Sequence, residues 1–226
     1  MTELINYQEN RMSPFDLKAL AILLDSFGRR DLLCLEIGSW FGAGSTQVIA
    51  EYSKKIICVD HWRGNDNHQH KKIVAEIDVF SRFKQNTKRF GELIIPIQGN
   101  STSVCQILRK RVFDFIFIDG DHRYEGTRND ILKSKPLLKN GGILAGHDCE
   151  GSVTSENRAI ILNHLNEDHI DSIFEGFSQC HPGVIFAVDE TINHANLFAK
   201  KLITIENQRG FSTIWWKKRN KLFGFV

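Results

Sequence analysis

Five short apolar runs, separated by stretches with helical spacing, constrain this chain of 226 residues more than any other feature of its sequence. The runs predict strands at residues 32–37, 56–60, 93–98, 113–119 and 142–146. The stretches between them predict helices at residues 45–52, 73–90, 101–109 and 124–132. Near-continuous apolar strands that alternate with helices predict a parallel sheet covered by helices on both faces.

The two ends of the chain add further elements. Ser13 as a cap, Pro14 in the first turn and Gly28 as a stop predict a helix within an N-terminal segment 1–30. The C-terminal third predicts a helix at 155–165 and two strands at 202–206 and 212–218 joined by the turn NQRG. Residues 182–192 fit either a helix, which Pro182 favours, or a strand, which the run VIFAV suits, and we prefer the helix. We therefore expect one α/β domain over 1–226, with a Rossmann-like, doubly wound, mostly parallel seven-stranded sheet and a C-terminal antiparallel hairpin.

The composition limits which binding partners and which cellular compartment we expect. Lys and Arg number 29 against 27 for Asp and Glu, and this balance lacks the basic excess typical of nucleic-acid binders. No apolar stretch approaches the roughly 18 residues of a membrane span, so neither a nucleic acid nor a membrane is expected as a partner. Five scattered cysteines without a CxxC motif fit a reducing, cytoplasmic setting better than a disulfide framework.

A glycine-rich turn, LEIGSWFGAGS, follows the first predicted strand and leads into a helix. Such a turn lets the backbone approach a nucleotide-like ligand, and the helix offers free N–H groups. A dinucleotide fingerprint requires glycine two residues after Gly38, where this chain has Trp40, so a dinucleotide-dependent oxidoreductase is the weaker alternative. Asp60 ends the second strand, where a carboxylate can bind both hydroxyls of a ribose.

Charged and imidazole side chains follow the fourth and fifth predicted strands. Asp119, Asp121 and His122 come after the fourth, and His147 and Asp148 after the fifth. Because the carboxyl ends of parallel strands meet at one edge of a sheet, we expect these groups to lie together at the edge that holds the glycine turn. Carboxylates favour Mg²⁺, Ca²⁺ or Mn²⁺, and imidazoles also admit Fe²⁺ or Zn²⁺. Asp121 has no assigned role beyond capping a helix.

The motifs FIDGDHRYEG, LLKNGGILAGHD, HPGVIFAVDE and IWWKK, together with the glycine turn, resemble class I S-adenosylmethionine-dependent methyltransferases. Within that class the chain resembles small-molecule O-methyltransferases of the macrocin and cephalosporin-tailoring type, over residues 33–218. The resemblance implies S-adenosylmethionine as cofactor and a hydroxyl of a small molecule, such as a sugar or a natural product, as acceptor. It implies cofactor contacts from Glu36, Gly38, Ser39, Gly42, Ser45, Asp60, Ser101 and Asp119.

The same resemblance implies a divalent metal, Mg²⁺ or Mn²⁺, at Asp119, His147 and Asp148, with Asp119 and His122 as catalytic residues. His122 stands where the relatives have the proposed base. His147 departs from the pattern, because the metal-binding relatives have a carboxylate there and imidazole is a poor Mg²⁺ ligand. Three alternatives follow: a different metal, a metal held by Asp119 and Asp148 alone, or no metal.

The expected reaction uses the metal and the histidine together. A metal lowers the pKa of a bound hydroxyl, and a histidine with a near-neutral pKa can take the proton.

Two further segments are expected to lie over the substrate. Segments 61–91 and 149–181 are expected to cover it, and His61, His68 and His70 are expected to belong to a mobile polar loop. Two roles stay open for each of Trp40 and Trp62: packing on the cofactor or substrate, or packing in the core. A homodimer is expected from the relatives, and His147 keeps open a cofactor-binding module without catalysis.

Overall fold

The computed structural model describes residues 10–65 and 68–220. Its helices are α1 (Pro14–Asp25), α2 (Ser45–Ala50), α3 (His68–Glu76), α4 (Val79–Thr87), α5 (Ser101–Ile107), α6 (Tyr124–Ser134), α7 (Arg158–Asn163) and α8 (Pro182–Thr191). Its strands are β1 (Leu32–Ile37), β2 (Ser53–Asp60), β3 (Ile94–Gln98), β4 (Phe113–Ile118), β5 (Leu138–Gly146), β6 (Ile170–Asp171), β7 (Gln179–Cys180), β8 (Asn196–Leu197), β9 (Ile203–Ile205), β10 (Gln208–Gly210) and β11 (Trp215–Lys218).

A seven-stranded sheet organises the molecule, with the strand order β3-β2-β1-β4-β5-β11-β8. Strands β1 to β5 run parallel, and β11 lies antiparallel to both β5 and β8. The predicted α/β class and Rossmann-like, mostly parallel sheet are confirmed. Pro96 lies in β3, at the edge of the sheet, as its missing N–H requires.

The C-terminal hairpin is present, but its partners differ from the prediction. Strand β9 pairs with β10, which begins inside the segment predicted as the turn, and β11 joins the main sheet instead. Trp215 of β11 is fully buried and pairs with Gly146 of β5. A Cβ on Gly146 would lie 2.6 Å from the indole ring, so the glycine provides the space that the ring fills. Burial of this large side chain therefore outweighs pairing with a nearer strand.

Two predicted helices have different bounds in the structure. The single helix expected at 73–90 is divided into α3 and α4, because Asp78 caps a new helix by accepting a hydrogen bond from the Ser81 N–H at 3.0 Å. The helix expected at 155–165 is the shorter α7. The helix preferred at 182–192 is confirmed as α8, with Pro182 in its first turn.

Strand β4 lies at the centre of the core, and all six of its residues are buried. Phe115 and Phe117 pack with α1 and α2 on one face, while Ile116 and Ile118 pack with α6 and α8 on the other. This double burial explains the continuous apolar run of the strand and fixes where it delivers the polar residues that follow. Within the described ranges, no helix has the length and apolar character that a membrane crossing requires.

Candidate functional site

The carboxyl ends of the parallel strands open into a cavity of about 860 Å³, a volume within the usual range for small-molecule sites. Its walls combine the glycine turn, the ends of β2, β4 and β5, and the starts of α5 and α6. Most of the predicted site residues line it: Gly38, Ser39, Gly42, Ser45, Asp60, Ser101, Asp119, His122, His147 and Asp148.

The glycine turn has the conformation and the packing that only glycine allows. Gly38 has φ +86°, and a Cβ there would overlap the carbonyl oxygen of Asp119. Gly42 has φ +65°, and a Cβ there would lie 2.7 Å from the ring of Phe83. Ser39 is buried beside them, and its Oγ has no hydrogen-bond partner among the described residues. The hydroxyl lies on the side of Glu36, where it lowers the pKa of that carboxyl.

Glu36 lies beneath the turn and is not one of the cavity-lining residues, in contrast to its predicted contact with the cofactor. The side chain is fully buried, and its Oε2 accepts a hydrogen bond from the Thr46 hydroxyl at 2.6 Å. Burial raises the pKa of Glu36, against the lowering effect of that hydrogen bond. The structure therefore gives Glu36 a role in holding α2 against β1.

Asp60 anchors the turn from the end of β2. One oxygen accepts a hydrogen bond from the Trp40 N–H at 2.8 Å, and the other from the Trp62 N–H at 2.6 Å. Burial raises the pKa of this carboxyl, with the two backbone donors opposing the shift. Because Asp60 still lines the cavity and a carboxylate has further lone pairs, it can accept additional hydrogen bonds from a ligand.

Ser101 begins α5 and does not cap it. The capping residue is Asn100, whose side chain accepts a hydrogen bond from the Ser103 N–H at 3.2 Å. The Ser101 hydroxyl instead donates to Asp130 Oδ1 of α6 at 2.5 Å. Both Ser101 and Asp130 line the cavity.

Asp119, His147 and Asp148 meet as predicted, with ligand atoms within 4.8 Å of one another. The Nδ1 atom of His147 lies 3.0 Å from Asp148 Oδ1 and 3.5 Å from Asp119 Oδ1. Burial by itself would lower the pKa of His147, but the two carboxylates outweigh it and raise that pKa well above its ordinary value. The pKa of Asp148 is held well below its ordinary range, because the surrounding imidazoles outweigh burial.

The far side of His147 faces the N-terminal helix. His147 Nε2 lies 3.3 Å from Oδ2 of Asp16, which also closes a capping box with Ser13 at the start of α1. Asp16 Oδ1 accepts a hydrogen bond from the Thr213 N–H at 2.9 Å. Although burial opposes it, these partners lower the pKa of Asp16 to about 2. Asp16 lies in the first turn of α1, and nothing in the sequence pattern indicated this second role.

His122 lies between two carboxylates. Its Nε2 is 3.1 Å from Asp148 Oδ2, and its Nδ1 is 3.0 Å from Asp168 Oδ1. Burial would lower the pKa of His122, but the carboxylates raise it to about 9. The expectation of a near-neutral pKa was wrong, because the sequence pattern gave no indication that Asp168 reaches this ring.

A second buried pair adjoins the first group and was also missed. His181, the residue before α8, is 2.7 Å from Glu150 Oε1 through Nδ1, and its backbone N–H donates to Oε2 at 3.1 Å. His122, Asp148 and His181 form a second candidate metal group. Glu150 follows the GHD motif by two residues and could have been found there, whereas Asp168 lies in a stretch without a readable pattern.

The two segments expected to cover the substrate both contribute to the cavity wall. Asn65 of the first donates to Asp168 Oδ1 of the second at 3.3 Å. Trp40 lines the cavity and stacks on His70 with 4.7 Å between ring centroids. Trp62 is buried against Phe80 and belongs to the core.

The predicted polar loop is only partly described. Asp66, Asn67 and the side chain of His68 lie outside the described residues. The candidate metal groups found in the described part of the chain include neither His61 nor His70.

Comparison with known proteins places this geometry in a family. A family model described as a methyltransferase domain matches residues 35–149, just over half of the chain. The matched region contains the glycine turn, Asp60, Asp119 and the His147–Asp148 pair. A comparison with curated protein sequences gave no significant match.

Solved structures share the fold at low sequence identity. An O-methyltransferase candidate from Klebsiella pneumoniae is 13% identical with a TM-score of 0.58, over 92% of this chain and 81% of that one. An O-methyltransferase from Bacillus cereus, in complex with S-adenosylhomocysteine, is 17% identical with a TM-score of 0.52, over 90% and 80%. A candidate sarcosine dimethylglycine methyltransferase from Galdieria sulphuraria is 16% identical, with a TM-score of 0.43. The match covers 65% of this chain and 52% of the length of that protein.

The family match sets aside the dinucleotide-dependent oxidoreductase. The glycine turn, the strand-end carboxylates and the sheet order are consistent with the matched family. The chain belongs to the methyltransferase domain family, as a class I S-adenosylmethionine-dependent enzyme.

Proposed function

We propose that this methyltransferase transfers the methyl group of S-adenosylmethionine to a hydroxyl of a small molecule, such as a sugar or a natural product, with a divalent metal assisting. The observation that carries the proposal is the convergence of Asp119, His122 and Asp148 in the same cavity as the glycine turn and Asp60. A base and metal-ligand oxygens beside a methyl donor are what the deprotonation and alkylation of a hydroxyl require.

The cavity has groups that fit the cofactor. Its volume of about 860 Å³ leaves room for S-adenosylmethionine together with a small acceptor. Asp60 is placed to accept hydrogen bonds from ribose hydroxyls, and the glycine turn lets the backbone approach a ligand closely.

The donors around His147 also fit a divalent metal. Asp119 and Asp148 offer oxygens, and the Nδ1 atom of His147 lies between them. Asp16 at Nε2 supplies the carboxylate that commonly orients a metal-binding imidazole from behind. Two oxygens and one nitrogen favour Mn²⁺ over Mg²⁺, because imidazole suits the softer ion.

The chain's own residues supply the remaining chemistry. A bound metal lowers the pKa of a hydroxyl that it contacts. His122, with Asp168 at Nδ1, would take the hydroxyl proton at Nε2 once Asp148, which faces that nitrogen in this structure, turns to hold the metal. The oxygen then forms a bond to the methyl carbon as the carbon–sulfur bond breaks, so the sulfonium leaves as a neutral thioether. The raised pKa of His122 makes it a stronger proton acceptor and leaves less of it unprotonated at neutral pH.

Transfer of labelled methyl groups to a panel of hydroxyl compounds tests the reaction. We expect one methyl group to appear on a hydroxyl oxygen by mass spectrometry. Loss of a general base or a ligand oxygen should lower kcat by about 100-fold or more in His122→Ala and Asp119→Ala. The control is Asp189→Asn, an exposed carboxylate of α8, which should retain the wild-type rate.

Three results would count against this account. Wild-type rates in both site variants would remove these residues from the mechanism. Binding of S-adenosylhomocysteine without turnover on any hydroxyl would favour a cofactor-binding module. Transfer to nitrogen or carbon acceptors alone would exclude O-methylation.

Chelation tests the metal separately. After treatment with EDTA and dialysis, we expect activity to fall and to return more fully with Mn²⁺ than with Mg²⁺. Full activity after chelation would exclude metal assistance and leave methyl transfer itself in place.

A further inference from the structure

His181 is a buried histidine to which the proposed reaction gives no task. It directly precedes α8, is 4% exposed, and lines the cavity that holds the glycine turn. Its ring meets the ring of His122 edge to face, with 4.9 Å between centroids. Both rings face one carboxylate, because Asp148 Oδ2 lies 3.1 Å from His122 Nε2 and Asp148 Oδ1 lies 3.7 Å from His181 Nδ1. The three side chains offer ligand atoms within 4.8 Å of one another.

A further carboxylate lies behind each of the two imidazoles. Asp168 Oδ1 is 3.0 Å from His122 Nδ1, and Glu150 Oε1 is 2.7 Å from His181 Nδ1. Glu150 also accepts the backbone N–H of His181 at 3.1 Å, which fixes the direction of the carboxylate. A carboxylate behind the ring is the usual partner of a metal-binding imidazole, since it orients the ring and makes the other nitrogen more basic. The nitrogens left for a metal are therefore Nε2 of His122 and Nε2 of His181.

The charges around the two rings favour a cation between them. Asp148, Asp168 and Glu150 bring three negative charges to two imidazoles. Two protonated rings with centroids 4.9 Å apart would repel each other. A divalent ion supplies the same positive charge while both rings stay neutral, as metal binding requires. A metal therefore neutralises the carboxylates without repulsion between two imidazolium ions.

The atoms of this group favour a different ion from the one expected at His147. The group centred on His147 offers two oxygens and one nitrogen. The group formed by His122, Asp148 and His181 offers two nitrogens and one oxygen. Zn²⁺ binds well to two imidazoles and one carboxylate, with a fourth position left open, whereas Mg²⁺ prefers oxygen ligands. Zn²⁺ is therefore the ion that fits this group best.

We propose that His122, Asp148 and His181 form a second metal site, suited to Zn²⁺, and that an ion bound there inhibits methyl transfer. The binding depends only on these side chains and on the carboxylates behind them. The inhibition rests on the proposed function, in which His122 Nε2 takes the hydroxyl proton after Asp148 has turned to hold the catalytic metal. An ion between His122 Nε2 and Asp148 holds both groups in the arrangement of this structure, so neither can take part in the reaction.

Calorimetric titration with ZnCl₂ tests the site in the absence of cofactor and acceptor, on protein treated with EDTA and dialysed. We expect the wild-type protein to bind Zn²⁺. Glu150→Gln keeps all three ligands but removes a carboxylate behind one ring, so it should weaken binding by about 10- to 100-fold. His181→Ala removes a ligand and should weaken binding further. Asp119→Asn, which alters the group at His147 alone, and His61→Ala, which alters neither group, should keep the zinc site.

Activity measures the consequence of binding. With Mn²⁺ present, added Zn²⁺ should inhibit the wild-type protein. Glu150→Gln and His181→Ala should each require at least about tenfold more Zn²⁺ for the same inhibition, in line with their weaker binding.

The outcomes separate the metal site from the reaction. Loss of zinc binding in Asp119→Asn, with full binding in His181→Ala, would place the ion at His147 and overturn the second site, as would a folded wild-type protein that binds no Zn²⁺. Equal sensitivity to Zn²⁺ in wild type and Glu150→Gln, despite weaker binding by the variant, would overturn the inhibition. Zinc binding as expected without any methyl transfer would contradict the proposed function and leave the metal site in place. Thermal unfolding of each variant shows whether lost binding reflects a lost fold.

Discussion

At the scale of single residues, the buried carboxyl of Asp130 makes the free energy of unfolding depend on pH. Its pKa is raised to about 6 chiefly by burial, with Asp121 adding to the rise and Ser101 opposing it. The folded state therefore binds more protons than the unfolded chain between about pH 4 and pH 6, and stability falls as pH rises through that window. We expect Asp130→Asn to raise the free energy of unfolding by about 1 to 3 kcal/mol at pH 7.5 and by much less at pH 4.5.

Urea unfolding of wild-type protein and Asp130→Asn at the two pH values measures this difference. A gain of the same size at both pH values would show that the charge on Asp130 is not its source. A loss of stability at pH 7.5 would show that the carboxylate is better compensated than its contacts indicate.

Gly38 gives a second test at this scale. Any other residue there would have a strained positive φ, and its Cβ would clash with the backbone of Asp119. A Cβ at this position would overlap the backbone of Asp119, so Gly38→Ala must displace β1 from β4. We expect a loss of several kcal/mol or failure to fold. Gly28→Ala is the matched control, with a similar φ of +64° and nothing within 4 Å of the added Cβ. It should cost only about 1 kcal/mol. Similar melting temperatures for the two variants would contradict the clash.

Sequence patterns predicted the site residues that follow strands and missed those that reach the site from elsewhere. Asp119 and Asp148 could be placed because the ends of parallel strands share an edge of the sheet. Asp16 and Asp168 reach the same imidazoles from an N-terminal helix and from a loop, over distances along the chain that no spacing rule covers. The family resemblance assigned Glu36 to the cofactor, whereas the structure buries its side chain beneath the turn.

At the scale of elements, α1 is attached to the site by one side chain. Asp16 closes the capping box of this helix with Ser13, accepts the Thr213 N–H and faces His147. Its replacement removes the reciprocal half of the capping box and leaves buried groups unpaired. We expect Asp16→Ala to lower the free energy of unfolding by about 2 to 4 kcal/mol, as measured by urea unfolding.

The control is Asp78→Ala, which removes the exposed cap of α4 and should cost only about 1 kcal/mol. If the two variants lose the same stability, the contacts of Asp16 beyond its own helix contribute nothing measurable.

Some element boundaries are set by a local signal such as a proline or a capping side chain. Others are set by which side chains are buried in the folded protein. Pro182 correctly indicated the start of α8. The division at Asp78 was missed because helical spacing of apolar residues continues across it, although Asp78 is itself a good cap. The partner of β11 depended on the fit between Trp215 and Gly146, two residues that are distant in sequence.

At the scale of the whole molecule, the sheet brings separate motifs into one cavity, and ligand binding there should stabilise the entire fold. A ligand at 100 times its Kd adds about 2.7 kcal/mol to the free energy of unfolding. We expect S-adenosylhomocysteine to raise the melting temperature and NADH to leave it unchanged. A rise with NADH alone would contradict the family's cofactor for this cavity.

Calorimetric titration with S-adenosylhomocysteine, using wild-type protein and Asp60→Asn, tests the central claim most directly. We predict one ligand per chain for the wild type, with affinity reduced by about tenfold or more in the variant, because it replaces the carboxylate that we propose to accept from ribose hydroxyls. No binding to a folded wild-type protein, or equal binding by both proteins, would contradict a cofactor site built on the glycine turn and Asp60.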